Sequence, residues 1–181
     1  MSRNLVNDSK FLALVLRHHP EKIGLTLDEH GWADIDTLLS CLQSHHKNIT
    51  REELNESVST DSKKRYTISE DGKKIRAAQG HSIQIDLQLV PKDPPATLFH
   101  GTAERFLTSI MKDGLLPRSR NYVHLSADVN TAITVGKRHG QPAILELDVG
   151  SMKNDGKVFY QAENGVWLTD KVEPKYLKRI Q

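Results

Sequence analysis

The sequence predicts an α+β protein in two lobes, and three observations carry that reading. Apolar residues at helical spacing recur across residues 9–57, and a hairpin pattern follows them. Pro91, Pro94 and Pro95 then fall within residues 91–95, which favours an extended linker over a helix or a central strand. Beyond the prolines, short strand-like segments alternate with helical patterns, as mixed α and β structure does.

Taken in order, Phe11, Leu12, Leu14, Val15 and Leu16 set a helix over residues 9–17, capped by Ser9 or Asp8 and stopped by Pro20. Residues 23–27 read as a short extended piece, with a turn at 28–32. A second helix begins near Asp34 or Asp36 and places Ile35, Leu38, Leu39 and Leu42 at helical spacing. A third spans residues 50–57, where Thr50 and Glu53 have capping-box spacing. Residues 65–68 and 74–78 make two short strands around a turn at 69–72. Three helices followed by a hairpin predict a winged-helix module over residues 1–90. Residues 91–181 form the second domain, with strands expected at 97–100, 123–125, 143–149, 158–160 and 166–168. Helices are expected at 105–112 and 130–138.

Composition bounds the function. With 37% hydrophobic and 27% charged residues, the chain falls among soluble globular proteins. No apolar run approaches the ~20 residues that span a bilayer. Residues 1–9 lack the charged, apolar and small-residue order of an export signal, so the expected location is the cytoplasm. A single cysteine, Cys41, cannot form an internal disulfide, and its leucine-rich surroundings favour burial over reactivity. The net charge of +2 says little about nucleic acid, because such binding depends on local clusters of Lys and Arg. Those clusters exist at residues 17–19, 63–65, 73–76 and 118–120, and together they would make a phosphate pocket. His18-His19 and His45-His46 are adjacent pairs without Cys or carboxylate partners at ligand spacing, so no metal is expected and His45 and His46 are assigned to a solvated surface. Neither G-x-G-x-x-G nor G-x-x-x-x-G-K-[ST] occurs, which disfavours the Rossmann and P-loop folds.

Four segments carry chemistry of their own. Arg17-His18-His19 is a cation cluster at a helix end, where the macrodipole alone favours positive charge. Arg65 and Arg76 flank the hairpin, as solvated charges or as phosphate ligands. The run Ile75-Arg76-Ala77-Ala78-Gln79-Gly80-His81-Ser82 reads as a phosphate-lined loop or as a turn in which Gly80 supplies a left-handed backbone angle. Phe99-His100-Gly101-Thr102 ends a strand with an imidazole, a glycine that permits close backbone approach and a hydroxyl. That combination suits a dinucleotide ribose or pyrophosphate, or simply a strand-end turn.

Read together and in order, these segments resemble the RNA 2'-phosphotransferase family. The resemblance rests on Ser9-Lys10-Phe11-Leu12 through Leu16-Arg17-His18, Gly31-Trp32, Lys64-Arg65-Tyr66 through Ser82, Leu98-Phe99-His100-Gly101-Thr102, Arg120-Asn121-Tyr122-Val123-His124-Leu125-Ser126 and Asn164-Gly165-Val166-Trp167-Leu168-Thr169. It spans residues 9–169. It implies a winged-helix lobe followed by a lobe similar to ADP-ribosyltransferases, with NAD held mainly by the second and the RNA phosphate between them. It also implies a two-step reaction in which an RNA 2'-phosphate becomes joined to ADP-ribose, and the product leaves as ADP-ribose 1'',2''-cyclic phosphate. The expected partner is a tRNA-like RNA bearing a 2'-phosphate, and the expected state is a monomer.

The family's catalytic group maps by motif onto Arg17, His18, Arg65 and Arg120. Guanidinium forks suit a phosphate that carries nearly two negative charges, and histidine can donate a proton near neutral pH. For NAD, the resemblance points to His100, Gly101 and Thr102, with His124 and Ser126 lining the other wall. Val166 stands where many protein-modifying ADP-ribosyltransferases carry a catalytic glutamate, with Glu163 three residues earlier. Without a carboxylate there, the enzyme would depend on a nucleophile that is already anionic. The sequence departs from the family pattern at Tyr122, where histidine is frequent, and at Arg118, where methionine is frequent; Arg118 competes with Arg120 if the loop is shifted. Other activities compatible with these motifs are ADP-ribosylation of terminal nucleic-acid phosphates or of protein, and NAD sensing by a nucleic-acid-binding regulator.

Overall fold

Helical periodicity starts earlier in the chain than Ser9. In a computed structural model that describes residues 3–180, with side chains from residue 9, α1 runs Arg3–Arg17. Met1 and Ser2, part of the stretch read for an export signal, lie outside the described residues, as does Gln181. Ser9 and Asp8 are therefore inside α1 and not caps; Leu5, seven positions before Leu12, carries the apolar period back. At the other end, His18 N and His19 N both donate to Leu14 O, at 3.0 and 2.9 Å. Pro20 then opens a 3-10 turn, Pro20–Ile23, which replaces part of the expected extended piece and closes at Gly24 with φ +66°.

β1 (Ala33–Asp34) leads into α2 (Ile35–Ser44), where Asp34 Oδ1 accepts from Thr37 N at 2.8 Å and caps the helix. α3 (Arg51–Ser59) carries the full capping box: Glu53 N donates to Thr50 Oγ1 at 3.2 Å and Thr50 N donates to Glu53 Oε2 at 2.9 Å. β2 (Tyr66–Ile68) and β3 (Lys74–Ala77) form the hairpin in antiparallel register, Thr67 opposite Arg76. β1 adds to the other side of β3 and gives the sheet order β1-β3-β2. The core beneath these elements is Leu12, Val15, Leu16, Ile35, Leu38, Leu42, Leu54 and Ile75. Each such buried side chain contributes about 1.5–3 kcal/mol. Cys41 packs half-buried against this core.

The chain parts into two compact units between Gln88 and Leu89. The second contains β4 (Thr97–Ala103), α4 (Leu107–Asp113), β5 (Val123–Leu125), α5 (Val129–Gly136) and β6 (Pro142–Asp148). α6 (Val149–Asn154), β7 (Tyr160–Gln161), β8 (Trp167–Thr169) and β9 (Leu177–Arg179) follow. They form two antiparallel sheets, β4-β6-β9 and β5-β8-β7. The sheets meet where Phe99 and Ser126 exchange two backbone hydrogen bonds of 2.8 Å. The result is α+β, as expected. β4 extends past the predicted His100 because Ala103 still pairs with Pro142. β6 stops at Asp148 because that side chain turns to cap α6, accepting from Ser151 N at 3.0 Å. Among the described residues no helix is long and apolar enough to cross a membrane.

Two glycines let α5 lie directly on β4. A Cβ on Gly101 would sit 1.8 Å from Ala132 O, and one on Gly136 would sit 2.6 Å from Thr102 O. The close approach expected at Gly101 is thus made by a helix of the same unit, through packing. Gly101→Ala should destabilise the protein by about 3 kcal/mol, a fall in Tm on the order of 10 °C. Gly156→Ala, which meets open space at φ +77°, is the control and should cost only about 1 kcal/mol of backbone strain. Equal Tm values for the two variants would contradict the close approach.

Candidate active site

In the first unit, the chain after β3 folds back against the end of α1. Gly80 turns at φ +89°, and a Cβ there would lie 3.6 Å from Arg17 Nη1. Ser82 N then donates to Arg17 O at 3.0 Å, and the Ser82 hydroxyl bonds His18 Nδ1 at 2.8 Å. The turn is the reading that the backbone bears out: Gly80 makes it, and it sets Ser82 on Arg17 and His18. Arg65 is anchored twice by Asp61, through its backbone N–H at 2.7 Å and through Nη1 at 2.5 Å. The buried Tyr66 hydroxyl lies near both arginines. Burial raises its pKa, whereas its bond to Ser9 O and the charges of Arg17 and Arg65 act to lower it. Arg17, His18 and Arg65 are thus held in one unit. Of the other basic residues there, Lys74 is paired with Asp28 at 3.1 Å, and Arg76 stacks over the Trp32 ring at 4.4 Å.

His81 is the residue whose role the sequence reading left unassigned, although it stands in the middle of a quoted motif. Its side chain is buried, with 2% of the residue exposed, and neither ring nitrogen has a hydrogen-bond partner among the described residues. Burial, followed by the charges of Arg17, His18 and Arg76, pulls its pKa down to about 4. A buried imidazole, neutral near pH 7, thus stands within the field of Arg17, His18 and Arg76.

In the second unit, strand alternation sorts the candidates. Val123 and Leu125 enter the core, so His124, and Ser126 at the bridge to Phe99, take the opposite face. Arg120 Nη1 donates to His124 Nδ1 at 2.6 Å. A guanidinium only donates, so Nδ1 is the acceptor and His124 is neutral with its proton on Nε2. His100 Nδ1 in turn donates to the His124 carbonyl at 3.0 Å, which leaves Nε2 of His100 as an acceptor. Burial depresses the His100 pKa; the bond to His124 opposes this, and the charges of Arg120 and His139 add to it. Arg120, His124, His100 and, through the Phe99 bridge, Ser126 therefore form one connected run.

The remaining candidates are placed differently. His100 and Thr102 share one side of β4 by alternation, whereas Gly101 faces α5. Thr102 is buried. Val166 is half-buried at a turn, its N–H donating to Asn164 Oδ1 at 3.3 Å and its carbonyl accepting from Ala162 N at 2.9 Å. Trp167, the next residue, pairs with Leu125. Arg118 is exposed at φ +57°. Among the described residues, no group of three His, Cys, Asp or Glu could hold a metal ion.

Comparison with known proteins gives consistent matches. Residues 3–171 match the family described as "RNA 2'-phosphotransferase, Tpt1 / KptA family". A protein of Acaryochloris marina is 51% identical over 181 residues, covering 100% of both chains. One from Pectobacterium carotovorum is 56% identical over 162 residues, 89% of this chain and 87% of its own. One from Escherichia coli O139:H28 is 51% identical over 177 residues, 97% of this chain and 96% of its own. Each of the three is named "Probable RNA 2'-phosphotransferase".

The depressed pKa of His81 makes stability depend on pH. Above the ordinary value of 6.5, both folded and unfolded imidazoles are neutral and stability is full. As pH falls from 6.5 to about 4, the unfolded chain takes up a proton that the folded chain refuses, and about 3 kcal/mol is lost. Urea unfolding across this window should show that slope, and His81→Gln should flatten it. An identical slope in the variant would remove His81 as its source.

Proposed function

This chain belongs to the RNA 2'-phosphotransferase, Tpt1 / KptA family, and from that membership we propose an NAD-dependent transferase that removes an internal 2'-phosphate from RNA. The three helices and β1-β3-β2 sheet of the first unit serve as a winged-helix lobe for RNA. The second unit serves as an ADP-ribosyltransferase-like lobe for NAD.

The observation that carries this reading is the hydrogen-bonded run from Arg120 through His124 to His100. It ties a phosphate-directed guanidinium to an imidazole suited to a ribose. The donor set fits NAD at His100: the tautomer offers Nε2 as an acceptor for a ribose hydroxyl, and Thr102 lies on the same side of β4. Gly101 belongs to the packing of α5.

NAD supplies an anomeric carbon from which nicotinamide departs with the bonding pair. The RNA 2'-phosphate attacks that carbon, giving an ADP-ribosylated RNA phosphate. The adjacent ribose hydroxyl then attacks phosphorus, and the bond to the RNA 2'-oxygen breaks. That oxygen takes a proton, and ADP-ribose 1'',2''-cyclic phosphate leaves. Arg17, Arg65 and Arg120 stabilise the charge on the phosphoryl oxygens, the Arg65 guanidinium held in advance by Asp61 and that of Arg120 by His124. His18, whose Nδ1 bonds Ser82, handles the proton through Nε2. Val166 provides no carboxylate, and a phosphate nucleophile needs none.

A 2'-phosphorylated oligonucleotide incubated with labelled NAD should yield 2'-hydroxyl RNA, nicotinamide and the cyclic phosphate; an untouched oligonucleotide with active protein would sink the proposal. Arg65→Ala and Arg120→Ala should slow the second step by about 100-fold or more and accumulate the ADP-ribosylated RNA. His100→Ala should raise the apparent KM for NAD. Unaltered kinetics would take the corresponding residue out of the mechanism.

A further inference from the structure

The face of the β5-β8-β7 sheet that carries His124 also carries an aromatic pair. His124 pairs with Leu168, and Leu168 pairs with Tyr160, so these side chains form one row across one face. Tyr122 stands in the bend just before β5, two residues from His124. Its ring meets that of Tyr160 with centroids 5.6 Å apart and planes tilted by 57°. Both tyrosines are half-buried, and Leu168 in the row is fully buried. Because the rings are tilted and not stacked, neither face of either ring is sandwiched by the other.

Charge stands beside this pair on the β5 side. Arg120 is two residues from Tyr122 on the same chain segment, and its guanidinium bonds the His124 ring at 2.6 Å. Lys92 follows Pro91, which bridges Tyr160, but its ammonium bonds Gln161 and lies 5.9 Å from the Trp167 ring, a cross-strand pair on the opposite face. A cation beside aromatic rings suits a single-stranded nucleic acid: a charge for its backbone and a π surface for an unstacked base.

Position separates this pair from the His100 end. His100 lies on β4, which meets β5 at Ser126, whereas Tyr160 lies on β7, on the far side of β8. Neighbouring strands are about 4.8 Å apart, so β7 is about 10 Å from β5 in the direction away from β4.

We propose that Tyr122 and Tyr160 form a stacking site for a nucleobase next to the phosphorylated ribose, making them specificity-determining residues for RNA. The proposal rests on the reading of this protein as an RNA 2'-phosphotransferase. It commits to a base of the RNA; a ring of the dinucleotide is the alternative that the test separates. Phe in place of either tyrosine keeps the π surface, whereas Ala removes it.

The test uses the full chain and three oligonucleotides with an internal 2'-phosphate: one intact, one abasic at the phosphorylated nucleotide and one abasic at the nucleotide 3' to it. Anisotropy without NAD gives binding, and steady-state kinetics give KM for RNA and for NAD. Tyr122→Ala and Tyr160→Ala should each weaken binding of the intact oligonucleotide about tenfold. They should raise KM for RNA in parallel and leave KM for NAD unchanged. Tyr122→Phe should behave as wild type. One abasic oligonucleotide should bind wild type about tenfold more weakly and lose nothing further with Tyr122→Ala. Equal binding of all three oligonucleotides by wild type would overturn the proposal whatever the variants do. So would a rise confined to KM for NAD, which would give the pair to the dinucleotide. Base-dependent binding without dephosphorylation would leave the stacking site standing and sink the assigned reaction instead.

Discussion

One residue, His124, joins Arg120 to His100 in the second unit, and it does so with two different atoms. Its ring accepts from Arg120 and its carbonyl accepts from His100. The arrangement exists only because β5 lies beside β4, where Phe99 and Ser126 exchange backbone bonds. α5 covers the opposite side of β4, and glycine at 101 and 136 is the condition for that approach. A backbone requirement thus reaches the site through three successive contacts. It also orients both imidazoles: the His100 Nδ1 faces the His124 carbonyl, and burial lowers the His100 pKa.

The first unit reaches a similar end by another route. There, a loop and not a strand ladder holds the groups, with Gly80 and Ser82 against Arg17 and His18. Arg65 is held by Asp61, which restrains the guanidinium at the cost of partly neutralising it. Burial, followed by the charges of Arg17, His18 and Arg76, holds the His81 pKa at about 4, so this imidazole adds no positive charge near neutral pH. Donors fixed before substrate arrives have no reorganisation left to undergo when phosphoryl charge develops, the condition under which electrostatic stabilisation is most effective.

Local chemistry was legible in the sequence and tertiary consequence was not. The Thr50 capping box, the Asp34 cap and the β2–β3 hairpin follow from side chains a few positions apart. β1 and β9, of two and three residues, carry no period long enough to read and exist only because β3 and β6 offer them an edge. Gly101 was read as permitting close backbone approach, and a sequence shows that a Cβ is missing but not that Ala132 of α5 fills the space. The His100–His124 bond links positions 24 apart and depends on the register between two sheets. His81 could be quoted in its motif, but its value to the site lies in burial, which one sequence does not reveal.

The central claim is the proposal that the substrate phosphate is the nucleophile and that water takes no part, since Val166 supplies no carboxylate to activate it. The direct measurement is turnover of a 2'-phosphorylated oligonucleotide with NAD in water enriched in oxygen-18, followed by mass spectrometry of every product. The account predicts no label in the RNA, in the ADP-ribose or in the phosphate it carries away. Labelled inorganic phosphate, or label on the anomeric carbon of ADP-ribose, would contradict it and make the enzyme a hydrolase.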